Sequence, residues 1–430
     1  MRKVLILTYY WPPSGGPAVQ RITRYARYLH LHGWQPLILT SDAPDSPAID
    51  KSLLGDQDVT VYRSRIFEPF SIYRRLTGRG KSVRLSTNVL LNEKPAGLKE
   101  KLARWVRANL FIPDARVGSV PCFYRRALSI VKAEQPDLIL CTSPPHSLQL
   151  VAKRISKKCN IPYIADLRDP WSEAYWLETL PRTRMAKSLD LALEKSILKA
   201  ADAVITVSPG LERIFRDKVP NRYEVLFNGF DSLEREPFSY HSFVILFIGE
   251  LSPIQDPTTL LQAINRFKDN DIKHIELHFI GRTFPALQQI LENFPRVQVV
   301  SRPYMPFKEL LGYSKIASVL FKPFTRTSYS HAIIQSKTFD YMAMRKPILA
   351  LDTPDSISMQ VIEGTFSGRV IHPDDTDAVH QYLNELFGKW QKEKCLLLED
   401  HPGLDIYRAS KNVESLARIF DDVISSHSTS

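Results

Sequence analysis

Residues 1–40 read MRKVLILTYYWPPSGGPAVQRITRYARYLHLHGWQPLILT. The apolar run over 3–8 predicts a buried strand, and the Gly/Pro-rich stretch 9–17 a loop. Residues 19–32 repeat apolar side chains at about 3.6-residue spacing, which predicts a helix, and 34–40 return as a strand. Strand, loop, helix and strand in that order make a βαβ unit, the signature of a parallel sheet covered by helices.

The same order recurs along the chain. Strands are expected over 138–141, 162–165, 203–207 and 224–227, with helices over 147–158, 183–200 and 211–216. Around 228–242 the text turns polar and irregular, with Pro237 inside it. A second series then starts, with strands over 244–248, 276–280, 297–300, 317–321 and 347–350. Its helices are expected over 258–267, 286–293, 307–313 and 336–344, and a last helix over 406–425. A chain of 430 residues suits two domains. The expected fold is therefore α/β, with two Rossmann-like domains over 1–235 and 236–430 that face across a cleft. In such folds the loops at the carboxyl ends of the strands line the ligand site.

Composition narrows the class. Apolar residues make up 44% and charged residues 24% of the chain, as in a globular protein with packed cores. Cys122, Cys141, Cys159 and Cys395 are scattered, without metal-ligand spacing, which fits a reduced, cytoplasmic setting and no metal site. The apolar run at the start spans only about eight residues and leads into PPSGG, unlike a signal peptide. No run approaches the length of a membrane span.

The net charge of +11 is unevenly placed: residues 71–130 hold thirteen basic residues against three acidic ones. The excess is thus a local device, suited to phosphates of lipid or nucleic acid. Within it, GLKEKLARWVRANLFIP (97–113) spaces Leu98, Leu102, Trp105, Val106 and Leu110 helically, with Lys99, Lys101, Arg104 and Arg107 around them. That pattern predicts an interfacial helix on an anionic membrane surface, the alternative being a helix packed on the first domain with a solvated basic face. The segment carries no nucleic-acid motif.

Four places hold candidate chemistry. Gly15 and Gly16 precede the first helix, where backbone amides can approach an anion or where glycine merely makes a tight turn. His146 lies between a strand and a helix, at the crevice end of the sheet. Asp166, Arg168, Asp169 and Trp171 share one short loop, as groups for a substrate or as a structural ion pair. In the second half Gly249, Gly281 and Arg282 follow strands, and Lys337 and Asp340 fall on one face near a helix start, a place for a diphosphate and for hydroxyl groups.

Taken together, the chain resembles the family-4 glycosyltransferases of the GT-B fold. The segments that carry the resemblance, in order, are YYWPPSGGPAVQR, PDLILCTSPPHS, IADLRDPW, ADAVITVSPGLE, VLFNGFD, LFIGEL and SKTFDYMAMRKPIL. It is most similar to the subgroup that builds bacterial surface polysaccharides. The resemblance implies retaining transfer from a nucleotide-sugar donor to a saccharide or lipid-linked saccharide, with no cofactor and no obligatory metal. It implies donor binding in the second domain by Gly249, Arg282, Lys337 and Asp340, with Gly15 and Gly16 facing the donor phosphates. His146, Asp166, Arg168 and Asp169 would face the acceptor and reacting carbon, and Lys99, Lys101, Arg104, Trp105 and Arg107 the membrane or acceptor lipid. The final helix would return to the first domain, and the protein would be cytoplasmic or peripheral on the inner membrane face. Two departures stand out. The first of two glutamates common in the family is replaced by Ala332, and FIGELSPIQDP carries Glu250 and Asp256 where many members carry an arginine and a lysine. Arg282, Lys337 or Lys322 would then supply the missing charge. The rival readings are a GT-B epimerase and a non-catalytic scaffold.

Overall fold

The computed structural model describes residues 1–42, 46, 49–53, 59–66, 97–231, 236–252, 254–284, 287–327 and 329–427. The chain divides into two compact units, Met1–Phe227 with Asn412–Ser430, and Asn228–Lys411.

Among the described residues the first unit holds seven parallel strands: β1 (Arg2–Leu7), β2 (Trp34–Ser41), β3 (Thr60–Ser64), β4 (Leu138–Ser143), β5 (Tyr163–Leu167), β6 (Ala203–Thr206) and β7 (Tyr223–Val225). Their order is β3-β2-β1-β4-β5-β6-β7. The helices that matter below are α1 (Pro17–Tyr28), α2 (Leu98–Leu110), α3 (Val120–Glu134), α4 (Ser147–Cys159), α5 (Arg184–Ala200) and α6 (Pro209–Arg216). The central strands read as continuous apolar runs because helices cover both faces. In β1, Leu5 and Leu7 join a core with Phe123 of α3 and Val151 of α4. Val4 and Ile6 point the other way, to Ile22 and Tyr25 of α1.

The second unit repeats the plan with β8 (Phe243–Ile248), β9 (Ile275–Ile280), β10 (Gln298–Arg302), β11 (Ala317–Lys322), β12 (Ile348–Leu351) and β13 (Gly368–Ile371), ordered β10-β9-β8-β11-β12-β13. Helices α7 (Thr258–Asn265), α8 (Lys337–Met344) and α9 (Thr376–Glu393) flank it. Phe243, Ile245 and Phe247 of β8 pack with Leu260 of α7 and with Leu383 and Trp390 of α9. The last helix, α10 (Ala409–His427), belongs from Asn412 onward to the first unit. Its stripe of Val413, Leu416, Phe420 and Val423 joins the face formed by Val4, Ile6 and Ile22, with Phe420 edge-on to Trp34 at 5.1 Å.

Each sheet reverses its winding once, between β1 and β4 and between β8 and β11. There the following loops diverge and leave a crevice at the carboxyl edge. Elements absent from the periodicity reading include β3, β13, α3, α9 and the helix Ile357–Gly364. Both strands sit at sheet edges and are half-exposed, so no continuous apolar run marks them. The basic excess is also less of a single patch than its sequence suggests. Arg116 lies over the Tyr9 ring and Arg126 over Tyr62, each at 5.3 Å. Residues 71–96 and the side chain of Lys99 lie outside the described residues. No helix among the described residues is long and apolar enough to cross a membrane.

Phe420 is fully buried, so Phe420→Ala should destabilise the first unit by about 3–5 kcal/mol through lost packing and the cavity left behind. Urea unfolding monitored by tryptophan fluorescence measures it; a cost below about 1 kcal/mol would mean that the final helix is not part of that core.

Candidate functional site

In the first unit the switch point is built around a buried ion pair. Arg21, on α1, donates from Nη2 to Asp166 Oδ1 at 3.0 Å and from Nε to Oδ2 at 3.3 Å. Its remaining nitrogen donates to the carbonyls of Leu226 and Phe227. Thr142 adds a bond to Asp166 Oδ2 at 2.8 Å. Asp166 is fully buried. The guanidinium hydrogen-bonded to Asp166 is thus that of Arg21, while the neighbouring Arg168 acts on it through charge alone. Gly16 (φ 103°) directly precedes α1. Pro17 has no N–H, and the Val19 and Gln20 amides bond the Gly16 carbonyl, which favours the turn role for Gly16. Gly15 beside it is half-buried.

The loop after β5 leaves this anchor carrying Arg168, Asp169 and Trp171. Arg168 donates to the Pro144 carbonyl at 3.4 Å. Asp169 is half-buried; burial raises its pKa while Arg168 opposes the shift. The Trp171 indole stacks on His146, ring centroids 4.4 Å apart and 12° from parallel. Two acids one turn apart on α5 clamp the loop. Asp190 accepts from Trp171 Nε1 at 2.8 Å and from Arg182 at 2.6 Å. Glu194 accepts from Ser172 and from Lys218, which also pairs with Glu173. Asp114 caps the start of α4, accepting from the Ser147 amide and hydroxyl, and so holds the turn beside His146. Burial first, then the Arg168 charge, hold the His146 imidazole down at about 3, so it is neutral at physiological pH.

In the second unit the switch point is lined by glycine and lysine. Gly281 (φ 128°) lies so close to Gly249 that an added Cβ would meet the Gly249 carbonyl oxygen at 2.1 Å. A Cβ on Gly249 (φ 120°) would lie 3.3 Å from Lys337 Nζ, so only glycine leaves this space. The Lys337 ammonium sits 4.2 Å from the Phe247 ring centroid and forms no hydrogen bond or ion pair with a described residue. Of the cations expected to supply the diphosphate charge, Lys322 is taken by buried Asp352 at 2.9 Å, and Arg282 by Glu250 at 2.9 Å on the surface. Asp256 holds the start of α7 through Thr258. The amides of Thr338 and Phe339 bond carbonyls of Gln335 and Ser336, so the positive group offered at α8 is the Lys337 side chain. Asp340 lies in the first turn of the same helix, half-buried.

The structure thus brings together His146, Arg168, Asp169 and Trp171 in one unit, and Gly249, Gly281, Lys337 and Asp340 in the other. The residues missed in sequence are the supports: Arg21, Asp114, Asp190, Glu194 and Lys218. Arg21 closes the WPPSGGPAVQR segment, and a charged residue on the apolar face of its helix was the available signal. Among the described residues no group of three or more His, Cys, Asp or Glu side chains is placed to hold a metal ion.

Residues 15–229 match the model of the Glycosyl transferase 4-like domain, and residues 242–389 that of Glycosyl transferases group 1. No curated protein matches the chain in sequence. Among solved structures, the chain is similar to sucrose-phosphate synthase from Thermosynechococcus elongatus, with TM-score 0.64 and 12% identity over 99% of this chain and 100% of that one. HepE of Anabaena in complex with UDP-glucose gives TM-score 0.55 and 13% identity over 100% and 99%. TarM gives 0.58 and 11% over 99% of each. At such identities the likeness is one of fold.

Lys337 makes a pH-dependent contribution to stability. Burial first, and Lys322 second, lower it from 10.5 to about 7. Between these values the unfolded chain holds the extra proton, so wild-type stability should rise with pH through this window and level off above it. Lys337→Met should abolish that rise and gain roughly 1 kcal/mol or more at neutral pH. Urea unfolding of both proteins across this range is the measurement; parallel curves would show that the amine carries no such penalty.

Proposed function

The chain belongs to the GT-B glycosyltransferases, its first half being a glycosyl transferase 4-like domain, and on that premise we propose that it moves a hexose from a nucleotide-sugar donor to an acceptor. In this reading the acceptor is a lipid-linked saccharide of cell-envelope or exopolysaccharide synthesis, and the sugar keeps its anomeric configuration. The observation that carries the donor assignment is Lys337, a half-buried amine without an ion-pair partner among the described residues, beside Gly249 at a switch point. Such a group suits a diphosphate, part of whose charge it offsets. Asp340 in the same helical turn accepts from ribose or sugar hydroxyls. UDP-glucose bound to HepE, a protein of the same fold, supports a nucleotide sugar as donor class. Transfer breaks the bond from anomeric carbon to diphosphate oxygen and forms one to the oxygen of an acceptor hydroxyl, whose proton leaves with the nucleoside diphosphate, while positive charge grows on the carbon. Asp169, without a bonded partner among the described residues, is the carboxylate suited to stabilise that charge, and the nearby charge of Arg168 favours its ionised form. Calorimetry against UDP-, GDP-, ADP- and CMP-sugars, followed by product analysis, is the test, with one base class expected to bind and react. Lys337→Ala should weaken donor binding by about tenfold or more, while Asp169→Asn should lower turnover at nearly unchanged affinity. Binding without transfer would point to a scaffold, donor conversion without acceptor to an epimerase, and no binding at all would overturn the reading.

The same reading places the first unit on an anionic membrane face, at the cytoplasmic side. Helix α2 exposes Leu98 (84%), Leu102, Trp105 and Leu110, and α5 exposes Met185 (80%) and Leu189 nearby. Asn109 ties the two helices' ends together, donating to the Pro181 carbonyl and accepting from the Thr183 amide. Lys101 is exposed, and Arg104 and Arg107 are half-buried along α2. Attraction of about 1 kcal/mol per basic residue fades with salt. The protein should therefore co-sediment with anionic vesicles but not neutral ones, and lose binding in high salt or on changing Lys99, Lys101, Arg104 and Arg107 to glutamate. Equal partitioning of both forms would end this part of the reading.

A further inference from the structure

The protonation pattern of His146 can be read from its neighbours. Gln149 Nε2 lies 2.9 Å from the Cys141 carbonyl and 3.1 Å from Ser143 Oγ. A carbonyl can only accept, so the amide is oriented with its nitrogen toward Cys141, and its second hydrogen goes to Ser143. The Tyr163 hydroxyl donates to Gln149 Oε1 from the other side, which leaves that orientation fully bonded. Ser143 Oγ therefore accepts from Gln149, and among the described residues its own proton has one acceptor within reach, His146 Nδ1 at 3.2 Å. Ser143, Gln149 and Tyr163 are all fully buried. The opposite tautomer would leave the serine proton without a partner in a dry site, at a cost of about 1–3 kcal/mol. His146 Nε2 is itself buried with no hydrogen-bond partner among the described residues, and the backbone of Pro170 acts on the ring in the direction that favours a proton there.

We infer that Tyr163, Gln149 and Ser143 form a relay that holds His146 as a neutral imidazole protonated at Nε2, so that it offers a fixed N–H donor and no basic lone pair. The group such a donor recognises is an oxygen acceptor, a sugar hydroxyl or a phosphate oxygen of the substrate. Ser143 and Gln149 are then positioning residues: they act on the substrate only through the imidazole. The stacked Trp171 indole, itself held by Asp190, fixes the plane of the ring. Desolvation of the same pocket resists a second proton, which agrees with the low pKa. The relay consequently removes His146 from acid-base work and leaves charge stabilisation to Arg168 and Asp169. Only the nature of the bound oxygen rests on the transferase reading; the tautomer itself does not.

Long-range proton–nitrogen correlation spectra of the full chain, with 15N-labelled histidine, test the relay without any substrate. The His146 signals are identified by their loss in His146→Gln. They should show Nε2 protonated, Nδ1 unprotonated, and no titration from about pH 5 to 8. Ser143→Ala should mix the two tautomers and Ser143→Thr should restore the single one. A protonated Nδ1, a titration in that range, or an unchanged pure tautomer in Ser143→Ala would each overturn the relay. In a transfer assay with the donor found by the nucleotide-sugar screen, His146→Gln keeps an N–H near the Nε2 position. It should exceed His146→Phe in turnover by about tenfold; equal loss in both would overturn the donor role while leaving donor binding, and hence the transferase reading, intact.

Discussion

The interaction on which the first unit's candidate site depends is the dry ion pair between Arg21 and Asp166. Removing two charges from water is costly, and the pair is tolerable because every direction is bonded: two contacts between the partners, two backbone carbonyls on the guanidinium and Thr142 on the carboxylate. Its use is geometric. It fixes the end of β5 against α1, and the loop that departs there carries Arg168, Asp169 and Trp171. The acids of α5 then hold the far side of the loop, so it is clamped at both ends. A site of this kind rests on packed elements and not on the loop's own preferences.

The second unit solves its electrostatics differently. Lys322 and Lys337 are both largely buried, yet only Lys322 has a carboxylate, Asp352. Lys337 rests on an aromatic face beside the backbone of Gly249, which hold its place without cancelling its charge. A fold that buries an ammonium in this way gives up stability at that point, and sites held for an anionic ligand are where such a cost persists. Glu250, where family members often carry a cation, is absorbed by Arg282 at the surface. Lys337 is left as the cation beside Gly249.

Much of this was legible in the residues themselves. Continuous apolar strands and amphipathic helices in alternation dictate two parallel sheets, because a strand buried on both faces and a helix apolar on one face leave few other arrangements. Glycine and proline between them located the loops at the carboxyl edges that carry His146, Asp169 and Gly249, while Lys337 was marked by its place at a helix start. Edge strands β3 and β13 stayed hidden, since half-exposed strands lack the continuous run. What only tertiary structure decided was pairing: that Asp166 binds Arg21 from 145 residues away and not Arg168 two positions on, that Lys322 is neutralised while Lys337 is not, and that Gln149 orients the imidazole of His146. Periodicity reports which face of an element is buried, but the partner of a buried charge or amide is set by distances between elements far apart in the chain. A local pattern has no access to those distances.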